Sequence, residues 1–389
     1  MSGRLQVVAL IDALGWEYIR ERKFLDDILP YRTPLQTVLG FSSGAIPTIL
    51  TGLMPERHGH WNLFYYDPKH APFWWLRGFD WLPRKVLDNR YGRKIIKELG
   101  RRVFGLGPTF ECCVSPYLLP YFNFSERRDI YAPKGIESVP SLFDELEHEG
   151  RGYRVYTYHQ CSDAEIFRRA KRDIADTDAT LFFLYLCEMD GFLHLHCKEP
   201  AAIAKKLQWY DEQLREVFAV ARKRDRDASL MVCSDHGMTP VMHHADLVGE
   251  VERLGLRMPQ DYLAVYDSTM ARFWFFSEAA REQVTGVMQS LDCGRVLSQQ
   301  ELKKFGLNFP DDRYGELIFL LNPGWMVAES DFNGRSWFPE GMHGYHPDDC
   351  YSDAIFLSSE KPIRPMRTIA DVYYSIRGAS REAKEKVAL

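Results

Sequence analysis

The residues of this sequence able to do chemistry together are three carboxylates, three imidazoles and a hydroxyl, spread from position 12 to position 343. Asp12 closes an apolar run that begins at Leu5, and Ser42 and Ser43 open a segment running to Leu53. Asp190 and His194 follow the apolar run of residues 181–186. Asp235 and His236 follow residues 229–233, and His343 sits between Gly341 and Gly344. Oxygen and imidazole donors in this number match what two divalent ions require beside an activated nucleophile. Three aspartates and one serine alkoxide supply about −4, which balances two divalent cations. The chemistry implied is cleavage of a phosphate ester. The donor set suits zinc best, and manganese and iron also accept it.

Each residue has a plainer reading. Asp12 alone could end a strand in an ordinary turn. Ser42 and Ser43 precede a short predicted helix, where a serine serves equally as an N-cap or as an alkoxide facing free amides and the positive end of the helix dipole. The four-residue spacing of Asp190 and His194 puts both on one face of a helix, and His196 falls elsewhere on it. Asp235-His236-Gly237 needs an irregular turn to aim adjacent side chains at one centre, which the glycine permits. His243 and His244 form a second pair, read as solvent-facing or substrate-side.

The elements that must position these residues alternate. Strands are expected at residues 5–11, 153–158, 180–186, 230–234, 264–267, 271–276, 317–321 and 354–357. Helices are expected at 16–22, 44–51, 141–149, 163–175, 200–224, 278–291 and 369–376. Near-continuous apolar strands with helices between them predict a mostly parallel α/β sheet covered on both faces. Asp12, Asp190 and Asp235 each follow the C-terminal end of such a strand, the edge at which open α/β sheets collect ligands.

Residues 63–132 depart from this pattern. They hold Phe73-Trp74-Trp75 and Phe79-Asp80-Trp81, then a basic stretch from Arg84 to Arg102. The segment reads as an insertion, either a cap over the site or a helical subdomain burying its own aromatics. The tail after Gly378 is polar and reads as a frayed helix.

An apolar fraction of 46% supports a substantial core, and a net charge of −5 gives no overall pull toward nucleic acid. No stretch approaches the ~20 apolar residues of a membrane span, and the early position of Asp12 leaves no room for a signal peptide. Eight cysteines without CxxC or framework spacing suggest a reducing, cytoplasmic setting.

The residues from Thr48 to Gly59, continuing through Asn62 and Phe64-Tyr65-Tyr66-Asp67-Pro68, resemble the alkaline phosphatase superfamily, closest to its nucleotide pyrophosphatase/phosphodiesterase branch. The resemblance implies an alkaline-phosphatase-like three-layer sandwich forming a single catalytic domain over residues 1–389, with the inserted aromatic-rich cap. It places a nucleophile six residues before Thr48, at Ser42. It assigns one metal to Asp190, His194 and His343, and the other to Asp12, Ser42, Asp235 and His236. Asn62 would hold a phosphoryl oxygen, with Ser43, Tyr65 and His346 as substrate-side candidates. His346 stands where the family more often has Asp, as a substrate donor or a loop residue. Residues 42–47 lack the branch's usual sequence after the nucleophile. A sulfatase element is excluded because Gly44 and Ile46 occupy its proline- and arginine-like positions.

The expected activity is metal-dependent hydrolysis of phosphodiester or pyrophosphate bonds through a covalent serine intermediate. The substrate would be a phosphate ester, nucleotide-like or amphiphilic. The alternatives are a phosphomonoesterase, or a phosphotransferase or phospholipase-like enzyme on an amphiphilic or glycan ester. From a different class comes a metal-bound module without turnover.

Overall fold

The computed structural model describes residues 4–378 except 80, 82, 108, 109, 111, 113, 160 and 333–337. The expected terminal helix, Asp80 and Cys113 lie outside the described residues.

The central sheet is built on Gln6–Ile11, whose side chains are almost wholly buried on both faces. It pairs in parallel with Leu181–Leu186 on one side and Ser229–Cys233 on the other. Tyr153–Tyr156 extends the sheet beyond Leu181–Leu186, also in parallel. At the opposite edge Ala354–Ser358 runs antiparallel to Ser229–Cys233, and Tyr31–Leu35 runs antiparallel to it in turn. Five of the six strands therefore share one direction.

Two apolar layers sandwich this sheet, as burial of both strand faces requires. On one face Val7, Ala9 and Ile11 pack against Ile166 and Phe167 of the helix Asp163–Asp176 and Leu207 and Leu214 of the helix Pro200–Arg224. On the other, Val8, Leu10 and Phe183 meet Ile49 of the helix Ser42–Thr51, Phe143 of Leu142–His148 and Tyr373 of Ala370–Arg377.

Three of the expected strands do not join this sheet. Tyr262–Tyr266, Met270–Phe275 and Leu317–Leu321, with Gly294–Val296, form a separate antiparallel sheet. Only Asp267, Ser268 and Thr269 separate the first two strands, and a link so short can make a hairpin but no parallel crossover. One face of this second sheet packs on the helix Glu278–Ser290 through Val284 and Met288. The other face receives residues of the 63–132 segment, with Phe64, Phe73, Phe110 and Phe124 packed on Leu263, Val265 and Trp274. The aromatics of that segment thus mostly form a core of their own, seated on the second sheet. No described helix is long and apolar enough to cross a membrane.

Candidate metal centre and nucleophile

Strand register brings the carboxylates together. Leu10 lies opposite Cys233, so two further residues of the same spacing put Asp12 opposite Asp235. Ile11 lies opposite Leu186, and the chain then turns into the helix Glu188–His196, which carries Asp190 and His194 on one face. Asp12 and Asp235 are both buried, at 5% and 0% exposure. Ala13 adopts a left-handed backbone at φ 61°, a costly conformation for alanine, and from it donates its N–H to Asp235 Oδ1 at 3.2 Å.

The sequence-assigned ligands converge. His236 Nε2 lies 3.5 Å from Asp12 Oδ1 and 3.3 Å from Asp235 Oδ2. Asp190 Oδ1 lies 3.4 Å from His194 Nε2 and 3.6 Å from His343 Nε2. The rings of His236 and His343 stack with centroids 3.8 Å apart, so the two halves adjoin. Ser42 Oγ sits 2.9 Å from His236 Nε2. Asp12, Asp235 and His236 form one group able to hold a cation, and Asp190, His236 and His343 form another.

The neighbours of these side chains fix their roles. His194 Nδ1 pairs with Gly341 O at 2.7 Å and His236 Nδ1 with Gly237 O at 2.9 Å. A carbonyl can only accept, so in each ring Nδ1 carries the proton and Nε2 keeps its lone pair for a metal. Tyr185 donates its hydroxyl to Asp12 Oδ2. Among the described residues, Asp12 Oδ1, Asp190 Oδ1 and Asp235 Oδ2 are buried without a hydrogen-bond partner, and these are the oxygens that face the imidazoles. Burial, and then the Asp235 and Asp190 charges, push the Asp12 carboxyl well above its ordinary value. Burial and the two neighbouring imidazoles hold His343 well below its own. Desolvated carboxylate oxygens that face imidazole Nε2 atoms around one centre fit divalent cations.

The helix Ser42–Thr51 presents the nucleophile. It begins at Ser42 itself, with Phe41 in extended conformation and no side-chain cap. The serine therefore sits among the amides that a helix start leaves unpaired. Gly44 allows the close approach of Trp61, since a Cβ there would stand 3.0 Å from Trp61 O. The Ser43 hydroxyl is committed to that same carbonyl at 2.9 Å, which leaves Ser42 as the serine facing the ligands. Contact with Trp61 carries Asn62 to the cleft, where its Nδ2 lies 3.9 Å from the weak acceptor Met270 Sδ. His343 is held by the loop around Gly344, whose carbonyl accepts from Thr269 Oγ1 at 3.1 Å. Gly344 has φ 94°, and a Cβ there would meet Thr269 and Phe41.

The cleft over these residues has a volume of about 580 Å³. Phe41, Tyr131, Tyr158 and Phe332 supply aromatic wall, and Glu126 a buried carboxylate. No Lys or Arg occurs among the described residues lining it.

Tyr65 and His346, expected on the substrate side, are not among the residues lining this cleft. Tyr65 is held against Tyr314, ring centroids 5.7 Å apart, with the Arg313 guanidinium over its ring. His346 packs edge-on against Phe305 and lies 3.6 Å from Asp348. His196 pairs with Glu199, and His243 lies over Trp325. Sequence reasoning missed Tyr185, which read as one more apolar strand residue, and Glu126, which nothing in its surroundings singles out. The register of Tyr185, one residue before the strand's last, was the available signal for the first.

Sheet, helix-borne serine and paired Asp/His groups define an alkaline-phosphatase-like α/β enzyme. Residues 7–346 match the family model described as type I phosphodiesterase/nucleotide pyrophosphatase, and the chain belongs to that family. It is accordingly a phosphodiester hydrolase. No curated protein matches the sequence. Among solved structures, human ectonucleotide pyrophosphatase/phosphodiesterase 5 superimposes with a TM-score of 0.67 at 15% identity, covering 95% of this chain and 93% of that one. The murine protein gives 0.66 at 17%, and its inactive variant in complex with AMP gives 0.66 at 18%, each with the same coverage. At these identities the likeness establishes the fold.

Proposed function

We propose that the chain hydrolyses phosphodiester or pyrophosphate bonds through a covalent Ser42 intermediate at a centre holding two divalent ions, zinc in the simplest case. The observation that carries this reading is the convergence of three partnerless buried carboxylate oxygens with the Nε2 atoms of His194, His236 and His343, beside the Ser42 hydroxyl. Asp190, His194 and His343 would hold one ion, and Asp12, Ser42, Asp235 and His236 the other. When bound, the two ions supply Lewis-acid stabilisation of charge on the attacking and leaving oxygens.

The chain's own residues do the rest. Ser42 Oγ, having lost its proton to solvent, attacks phosphorus in line; the Oγ–P bond forms, the ester P–O bond breaks, and the leaving alkoxide takes a proton from solvent. Water then attacks phosphorus, the Oγ–P bond breaks, and a proton of that water passes to Ser42 Oγ, which restores the serine. The Asn62 amide and the Ser43 N–H at the helix start would donate to the equatorial oxygens. The tautomers fixed by Gly237 and Gly341 keep His236 and His194 oriented through both steps.

A diester is favoured over a monoester because no Lys or Arg among the described lining residues meets a second phosphate charge. Aromatic walls in a volume of about 580 Å³ support a bulky second substituent, and a nucleotide ester is one class to test, given the AMP complex of the murine relative. Seven free cysteines among the described residues support the reading of a reducing, cytoplasmic compartment.

The test is hydrolysis of a bis-aryl phosphate against the mono-aryl ester by zinc-loaded protein. Faster turnover of the diester is expected, and the reverse preference overturns the assignment. An added alcohol acceptor separates hydrolysis from transfer, since only transfer yields a new ester.

A further inference from the structure

The helix Arg90–Arg102 is strongly cationic. It carries Arg90, Arg93, Lys94, Lys97, Arg101 and Arg102 against a single acid, Glu98, in a chain of net charge −5. Glu98 is itself paired with Arg102 at 2.8 Å.

Its apolar residues divide between two faces. Ile96 and Gly100 are buried, and Ile96 joins the aromatic core shared with Phe73 and Phe110. Tyr91, Ile95 and Val103 fall four and eight residues apart on a different face, and all three are open to solvent, at 64%, 61% and 66%. Leu99 completes that strip, half-buried. The inner face explains why the helix folds here. It does not explain an outer apolar row lined by Lys94 and Arg102, with Glu98, the partner of Arg102, beside them. Within the same 63–132 segment, Trp74 and Trp81 are exposed at 65% and 78%. An exposed indole is a large amphipathic ring, the kind that settles at a lipid–water boundary.

We propose that this face docks on an anionic lipid surface, with the Tyr91–Ile95–Val103 row entering the headgroup boundary and the flanking cations meeting lipid phosphates. Charge complementarity selects this occupant. A bare polyanion such as nucleic acid would use the cations and leave the apolar row in water. A neutral apolar partner would leave the cations unmatched. A bilayer bearing acidic headgroups satisfies both at once. The inference stands apart from the reading of the catalytic cleft, and its readout is binding rather than turnover.

The experiment is co-sedimentation of the full chain with vesicles of phosphatidylcholine alone or with phosphatidylserine added. Binding to the anionic vesicles about tenfold above the neutral ones, weakened by high salt, is expected. Ile95→Asp and the charge reversal Lys94→Glu/Arg102→Glu should each abolish it, while hydrolysis of a soluble bis-aryl phosphate stays at the parent rate and shows both variants folded. Equal binding to both vesicles, or none to either, overturns the proposal. So does self-association in sedimentation velocity that Ile95→Asp removes, which would make the face a contact between copies. Retention of an oligonucleotide that Ile95→Asp leaves intact, without vesicle binding, likewise overturns it.

Discussion

The Tyr185 hydroxyl donates to Asp12 Oδ2 and leaves Asp12 Oδ1 facing the His236 imidazole at 3.5 Å. A phenol on the neighbouring strand thereby decides which oxygen of the carboxylate is offered to a metal. The arrangement follows from register, since Ile11 lies opposite Leu186 and Tyr185 reaches across the strand ends.

Replacing Tyr185 by Phe keeps the ring, which stacks on Tyr131, and removes only the donor. Metal affinity should fall about 10- to 100-fold, the usual effect of losing a group that orients a ligand. Competition with a chelator of known affinity measures this. An unchanged affinity would mean that Asp12 is oriented by other contacts.

Ser42→Ala should lower kcat by about a thousandfold or more while bound metal is retained in large part, because Asp12, Asp235 and His236 remain. Rapid quench of the parent enzyme followed by peptide mass analysis should find the substrate phosphoryl group on Ser42. Turnover surviving in Ser42→Ala would remove the covalent step.

The hairpin that supports the His343 loop rests on a buried ion pair. Arg272 Nε meets Asp267 Oδ2 at 2.6 Å with both side chains fully buried, and Arg272 Nη1 also donates to Phe64 O at 2.9 Å. Asp267→Ala strands the guanidinium and should cost about 3–5 kcal/mol. The double variant Asp267→Ala/Arg272→Met should cost less than the two single changes summed, because neither charge is then left alone. Denaturant midpoints give both values.

Asp353 supplies a pH dependence. Burial, then the Asp349, Glu17 and Asp348 carboxylates, raise its carboxyl from 3.8 to about 6. The folded form holds this proton more tightly than the unfolded one. Ionised Asp353 therefore costs stability above pH 6, and the cost vanishes as pH falls to 3.8. Asp353→Asn should raise Tm at pH 7.5 by about 1–3 °C, after allowance for solvent screening at this half-buried site, with the gain gone by about pH 4. Calorimetry across that range checks the sign.

How far the sequence alone reaches differs from element to element. Ile11 and Cys233 end apolar runs just before acids, so strand-end placement of Asp12 and Asp235 could be read directly from composition. The helix spacing of Asp190 and His194 was equally readable, and Pro200–Arg224 and Leu317–Leu321 have the bounds expected of them. Sheet membership was not readable. An apolar run such as 271–276 has the same composition in a parallel core sheet and in an antiparallel one, and only pairing partners tell them apart. Tyr65 and His346 were placed by motif position, which carries no information on which way a loop side chain turns. Tyr185 acts through a hydroxyl in a run whose other members are all core, so pattern alone hides it.

The central claim is that remote ligands gather two cations beside Ser42. Diffraction from crystals of the zinc-loaded protein, recorded at the zinc absorption edge, addresses it most directly. Two anomalous peaks per chain are predicted, one among Asp190, His194 and His343 and one among Asp12, Ser42, Asp235 and His236. Zinc-loaded crystals with no anomalous peak between these side chains would contradict the account.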